Sequence, residues 1–397
     1  MSDTAPSLFT DAVNVLAPQI QASAEESERM RRLPLPVVEA MAQAGLFRLW
    51  IPRALGGDET DPMTFLRVVE TISRIDGSAG WCQMIGGTLG ALAGYLPAEG
   101  AHEIYGSDPH VITGGSFAPF GQAVVEPGGY RVTGRWPLAS GCQHCAWLVG
   151  GCRIFDGNQP RLRADKTPVM RVMIFPTGAC EILDTWDSVG LRGTGSHDYT
   201  VADLFVPAHR SLSFREPPVQ PGPLYALPAI ALFAAAIAAV PLGIARHAID
   251  ILTELAGTKV TVRSRRTLRE DATLQADLGR AEALLRSGRA FLCETLGEAW
   301  QVVTDGGTLS VTQCAMLRLA ATQATSAATQ AVDLMFSAGS SASVYANAGL
   351  GRCMRDIRTA GQHITVVPFN YGMAGQAFLG FDMEMTPLLM MDHRGAA

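Results

Sequence analysis

The order of apolar and polar positions divides the chain into three textures. Up to about residue 110 the apolar positions recur with a helical period: Val37, Val38, Met41 and Ala44 share one face of 36–44, which stops at Gly45, a natural C-terminal cap. Phe65, Leu66, Val68, Val69 and Ile72 give 63–75 a wide apolar face, and a third helix is predicted to begin after Asp76-Gly77-Ser78. Between the first two, 46–52 and the Gly56-Gly57 pair read as a short extended connection. From about Val111 the texture becomes that of strands. The runs 123–126 and 130–132 flank Pro127-Gly128-Gly129 and predict a hairpin, and 147–150, 169–175 and 199–206 predict further strands. Beyond Pro223 helical spacing returns over 224–256, 274–303, 311–337 and from 351 onward.

Helix, then sheet, then helix is a segregated α+β arrangement, mainly α, with units expected at 1–110, 111–215 and 216–397. A nicotinamide-binding Rossmann sheet is disfavoured. The nearest approach to its glycine fingerprint, Gly193-Thr194-Gly195-Ser196-His197-Asp198, has Asp at the third glycine position. One segment, 224–245, runs 22 residues without a charge, long enough for a helix to cross a ~30 Å hydrocarbon core. Its alanine content, Pro228, Pro241 and flanks without Lys/Arg asymmetry predict instead a helix buried in a bundle and no membrane partner.

Composition removes several chemistries. With 37 acidic and 31 basic residues the net charge is −6, and no basic stripe exists to neutralise a nucleic-acid backbone. Only Lys166 and Lys259 are lysines, neither in a phosphate-loop context, so P-loop NTP hydrolysis has no candidate and a Schiff base has two. Eight cysteines in 397 residues are not a small-domain disulfide scaffold, and the opening MSDTAPSLFT lacks the regions of a signal peptide; a reducing cytoplasm is expected.

Cys142-Gln143-His144-Cys145 with Cys152 offers zinc-ligand types but no second ligand pair at the usual spacing; a loop of buried thiols is the alternative. Gly114-Gly115-Ser116-Phe117-Ala118 misses the nucleophile-elbow pattern at its last residue. Three stretches are more informative together. They are 129–141, a hairpin strand carrying Trp136 and ending Ala139-Ser140-Gly141; 190–198, containing Arg192-Gly193-Thr194-Gly195-Ser196; and 355–363, a charged helical turn running from Arg355-Asp356 to His363.

In this order, with Trp50-Ile51-Pro52 and Gly56-Gly57 before them, these stretches resemble the acyl-CoA dehydrogenase superfamily over nearly the whole chain. Their wording is most similar to the two-component flavin-dependent monooxygenases that hydroxylate phenols, indoles and secosteroids. The resemblance implies an N-terminal helical domain, a central β-barrel-like domain, a C-terminal four-helix bundle and a homotetramer, with a dimer next. It also allows the dehydrogenase base to be looked for. The two positions where the superfamily carries a catalytic glutamate fall here on His363-Ile364 and on Phe233, eight residues before Pro241-Leu242-Gly243. Neither holds a carboxylate, and a hydrocarbon cannot act as general base.

What the resemblance implies instead is an oxygenase component that takes reduced FAD or FMN from a separate reductase and forms a C4a-peroxide with O2 in a dry pocket. Ser140 would stand at flavin N5, and His363 would act as a base or as a hydrogen-bond partner of the peroxide. Trp136, Gly141, Thr194 and Ser196 would line the cofactor, and Arg263 would reach its phosphates across a subunit interface. Each has a plainer reading: Trp136 packs, Ser140 caps a strand, the 192–196 turn uses its glycines for positive φ, and His363 is structural. Many phenol hydroxylases of the group carry a histidine about eight residues after the tryptophan matching Trp81; here that position is Leu89, which favours an indole, another heteroarene or an amine. The alternatives are an acyl-thioester dehydrogenase or oxidase with another base, and a flavin-binding homologue without chemistry.

Overall fold

The computed structural model describes residues 4–260, 267–345 and 349–381. The first element, α1 (Thr4–Met30), was not singled out by the hydrophobic pattern, although Phe9, Val13 and Ile20 lie on its buried face. It is followed by α2 (Leu35–Gln43), α3 (Pro62–Ile75), α4 (Gly77–Leu89) and the single turn α5 (Ala98–Ala101). Aspartates set these boundaries. Asp61 accepts the Thr64 N–H at 3.0 Å to start α3 ahead of Pro62, and Asp76 ends α3 and caps α4 by accepting the Ala79 N–H at 2.8 Å.

The chain then enters a sheet of β1 (Thr113–Glu126), β2 (Gly129–Ala139), β3 (Trp147–Asp156), β4 (Gln159–Pro160), β5 (Met170–Pro176), β6 (Glu181–Leu183), β7 (His197–Pro207) and β8 (Ser211–Leu212). The spatial order is β6-β7-β2-β1-β3-β5-β8, with β4 beside β3; β1 and β3 are parallel and the other pairs antiparallel. The expected hairpin is present: Val125 faces Tyr130 and Glu126 faces Gly129, across a turn that puts Gly128 at φ +83°. The pairing of β2 with β7 slips between Trp136 and Ala139, where Leu138 takes φ +62°.

The last part is helical: α6 (Pro223–Ala226), α7 (Ala229–Thr258), α8 (Ala272–Thr304), α9 (Val311–Gly339), α10 (Gly349–Ala360) and α11 (Phe369–Phe378). Pro228 is the N-cap of α7, so the apolar stretch that begins at Leu224 becomes one short and one long helix. The most apolar 18-residue window of α7 is 89% buried, against α3, α4, α9 and α10. The helix predicted from 351 onward ends at Ala360. Gly361, the β-branched run Ile364 to Val367 and Pro368 break it, so His363 lies on a turn between α10 and α11 and not on a helix.

Candidate active site

Three segments distant in sequence meet at Ser140. It follows the end of β2, and the left-handed residues Leu138 and Gly141 turn the chain so that its hydroxyl is buried among polar partners. Trp81, on α4, donates its indole N–H to Ser140 Oγ at 2.9 Å. Ser196 Oγ lies 2.7 Å from Ser140 Oγ and 2.6 Å from Thr194 Oγ1. Thr194 closes the row by donating to the Leu191 carbonyl at 2.8 Å, while its own carbonyl accepts the Gly141 N–H at 2.7 Å. Ser140, Gly141, Thr194 and Ser196 are therefore brought together.

Trp136 is not among them. Its indole is fully enclosed, donates to the Gly151 carbonyl at 2.8 Å, and stacks on Tyr199 with centroids 5.1 Å apart. The β2–β7 pairing slips between Trp136 and Ala139, and Trp136 packs in the sheet core, not at its expected place beside the cofactor, while Ser140 meets Trp81. Arg263 lies outside the described residues.

His363 also meets Trp81, its ring edge-on at a centroid distance of 5.9 Å. Thr365 holds the imidazole: its backbone N–H points at Nδ1 from 3.3 Å and its hydroxyl lies 2.9 Å from the same atom. A backbone N–H can only donate, so Nδ1 is the acceptor and the neutral ring carries its proton on Nε2. Burial, and secondarily the Arg318 cation, push the imidazole down to about 4, so it is neutral at pH 7. Arg318 donates to Asn370 Oδ1 at 2.7 Å, and Asn370 Nδ2 bonds the carbonyls of Val367 and Ile364, which buttresses the turn.

Of the two positions checked for a dehydrogenase base, Ile364 is exposed and Phe233 belongs to an aromatic group. Phe233 stacks on Phe117 at 5.4 Å, and Phe214 meets Phe117 edge-on at 5.4 Å. Asp356, the carboxylate closest in sequence to His363, accepts the Leu191 N–H at 2.6 Å. Leu89 is buried. The thiols of Cys82, Cys142 and Cys145 lie against the carbonyls of Thr194, Gly195 and Gly141. No group of three His, Cys, Asp or Glu side chains able to hold a metal forms among the described residues. Trp81, Leu191 and Thr365 were not foreseen as site residues. The usable signal was the indole N–H of Trp81, which needs an acceptor once buried.

Residues 6–102 match the acyl-CoA dehydrogenase N-terminal domain and residues 235–368 the acyl-CoA dehydrogenase C-terminal domain. The chain belongs to that family, and within it to the flavin-dependent monooxygenases. It is 33% identical over 355 residues to an indole-3-acetate monooxygenase of Pseudomonas putida, covering 89% of each chain. It is also 29% identical over 386 residues to the flavin-dependent monooxygenase oxygenase subunit HsaA of Rhodococcus jostii (strain RHA1), covering 94% of this chain and 99% of the relative. Among solved structures, XiaF from Streptomyces sp. in complex with FADH2 and glycerol superposes with a TM-score of 0.88 at 30% identity, covering 95% of this chain and 96% of that one.

Proposed function

We propose that this chain is the oxygenase component of a two-component flavin-dependent monooxygenase. It takes reduced FAD or FMN from a separate reductase and, with O2, hydroxylates a small aromatic or heteroaromatic, indole-like substrate: RH, O2 and reduced flavin become ROH, water and oxidised flavin. The observation that carries this reading is the Thr194–Ser196–Ser140 hydroxyl row, joined through Trp81 to a neutral histidine, with no carboxylate at either dehydrogenase position.

The buried hydroxyl row suits the polar edge of an isoalloxazine ring. Ser140, Gly141, Thr194 and Ser196 would hold it, with Ser140 at N5, and the reduced ring when bound would supply the electrons that activate O2. With Nδ1 occupied by Thr365, His363 is fitted to donate from Nε2 to the reacting oxygen and is not free to act as a base. Apolar Leu89 in place of a histidine supports an unionised aromatic over a phenolate. So does the name of the Pseudomonas putida relative. The HsaA relative is named an oxygenase subunit, which supports a separate reductase. Eight unpaired thiols fit a reducing cytoplasm, and a homotetramer, with a dimer next, follows the family habit.

The deciding experiment supplies reduced flavin from a generic reductase in air and offers indole-3-acetate, indole and a phenol series. Hydroxylated product with oxygen consumption matched to product supports the reading. Anaerobic bleaching of bound oxidised flavin by an acyl-CoA, without oxygenated product, would replace it with a dehydrogenase. Flavin binding with neither reaction would leave a homologue without chemistry.

A further inference from the structure

The hydroxyl row beneath Ser140 has a direction. Each hydroxyl donates one proton, and the protons can be followed from the end at which they are fixed. The Leu191 carbonyl can only accept, so the Thr194 proton goes there. Thr194 then offers Ser196 nothing but lone pairs, and Ser196 donates to it. Ser196, its proton used, must accept from Ser140. Ser140 thus gives its proton to Ser196 and receives the indole N–H of Trp81. What remains to it is a lone pair.

The fixed end is itself anchored. Leu191 sits in the left-handed region at φ +50°, an unfavourable place for a residue with a Cβ. Its N–H is held by Asp356 Oδ1, and its carbonyl also receives the Trp186 indole N–H at 3.2 Å. Turning the row around would forfeit the Thr194–Leu191 hydrogen bond in a place where Thr194 is 1% exposed and water is not at hand to replace it.

The two redox states of a flavin differ at N5. Reduced flavin carries an N5–H, a donor, whereas oxidised flavin has a bare N5 lone pair, an acceptor. We propose that Thr194, held through Leu191 by Asp356, is a positioning residue that makes the site select reduced over oxidised flavin: it fixes the row so that Ser140 accepts from N5–H and opposes a bare N5. This rests on the reading that Ser140 faces N5. It assigns to a residue that need not touch the reacting atoms the job of admitting freshly delivered cofactor and releasing it once spent.

The test measures the affinities of oxidised and dithionite-reduced FAD, anaerobically, for the full-length protein. The wild type is expected to bind reduced FAD at least about tenfold more tightly, equivalent to a shift of ~30 mV in the two-electron potential of the bound flavin. Thr194→Val, nearly the same shape, frees Ser196 to donate to Ser140 and Ser140 to donate outward. The preference should fall about fivefold or more, chiefly through tighter binding of oxidised FAD, and Thr194→Ser should restore it. Asp356→Ala should act in the same direction as Thr194→Val, and Asp356→Asn, which keeps an acceptor for the Leu191 N–H, should stay near wild type. A merely structural role would weaken both redox forms alike. An unchanged ratio in Thr194→Val and Asp356→Ala, or a wild type that binds both forms equally, overturns the inference and leaves the flavin reading standing. A wild type that binds neither form overturns the flavin reading itself.

Discussion

The two neighbours of Trp81, Ser140 and His363, are held on different principles. On the Ser140 side every polar atom of the hydroxyl row has a partner, the row rests on strand ends and a tight turn, and its residues are 1–6% exposed. On the His363 side a partly exposed turn between two helices is held by one buried cation and one amide, through Arg318 and Asn370. The first is a fully satisfied, buried row, which under the proposed function would face a planar ring. The second leaves a single donor, His363 Nε2, unclaimed by Thr365.

The sharpest way to break this contrast is His363→Ala. It should still bind reduced flavin, because the hydroxyl row proposed to face the cofactor is untouched, while product formation falls about 10²-fold or more and hydrogen peroxide release rises. Ser140→Ala should show the other order of defects in stopped-flow and peroxide assays: oxygen consumed without product even when no substrate is present. Asn370→Ala removes partners from Arg318 and from the Val367 and Ile364 carbonyls, and should cost about 1–3 kcal/mol in denaturant unfolding while raising peroxide release as the turn loosens.

Three smaller effects sharpen the comparison. Burial, then the Asp76 and Glu28 carboxylates, push Asp356 up to about 7, against the Leu191 N–H and the Arg352 cation; Cys353 is its other titratable neighbour. The folded chain therefore keeps this proton at pH values where the unfolded chain, near 4, has lost it. As far as this group is concerned, stability is greatest below about pH 4 and declines as pH rises toward 7. Asp356→Asn should gain on the order of 2 kcal/mol over wild type at pH 8 and lose that advantage toward pH 4, measured by unfolding across pH. His363, lowered to about 4, should contribute no limb near 6.5 to the pH profile of product formation. The smallest effect on the site is expected from Trp136→Phe, which should destabilise the sheet by about 1–2 kcal/mol and leave reduced-flavin affinity within a factor of about two.

The residues of the hydroxyl row were legible because they sit in short linear patterns, Ala139-Ser140-Gly141 and Arg192 to Ser196, whose glycines announce turns. Trp136 was expected at the cofactor from the resemblance; the structure packs it in the sheet core, and nothing in the residue types reveals the left-handed Leu138 between it and Ser140. The helix α1 escaped notice because its apolar residues are sparse and interrupted by Pro18. The contacts of Trp81 with Ser140 and of Asp356 with Leu191 join segments 59 and 165 residues apart, and only the packed chain could disclose them.

The three thiols around the Ser140 loop bear on how long such a protein would last. An oxygenase that wastes some of its oxygen bathes its own interior in hydrogen peroxide, and it is the thiolate, not the thiol, that peroxide attacks. Burial raises Cys82 and Cys145 far above their ordinary values and pushes Cys142 up to about 12, which leaves on the order of one Cys142 in 10⁵ ionised at neutral pH. Sulfur packed against the Ser140 and Thr194 segments is thereby kept in the form that peroxide ignores. In a peroxide challenge of the flavin-free protein, the partly exposed Cys293 should lose its reactivity toward thiol reagents well before these three are oxidised in the unfolded, acid-quenched chain. Uncoupled turnovers would then consume reductant without shortening the working life of the site.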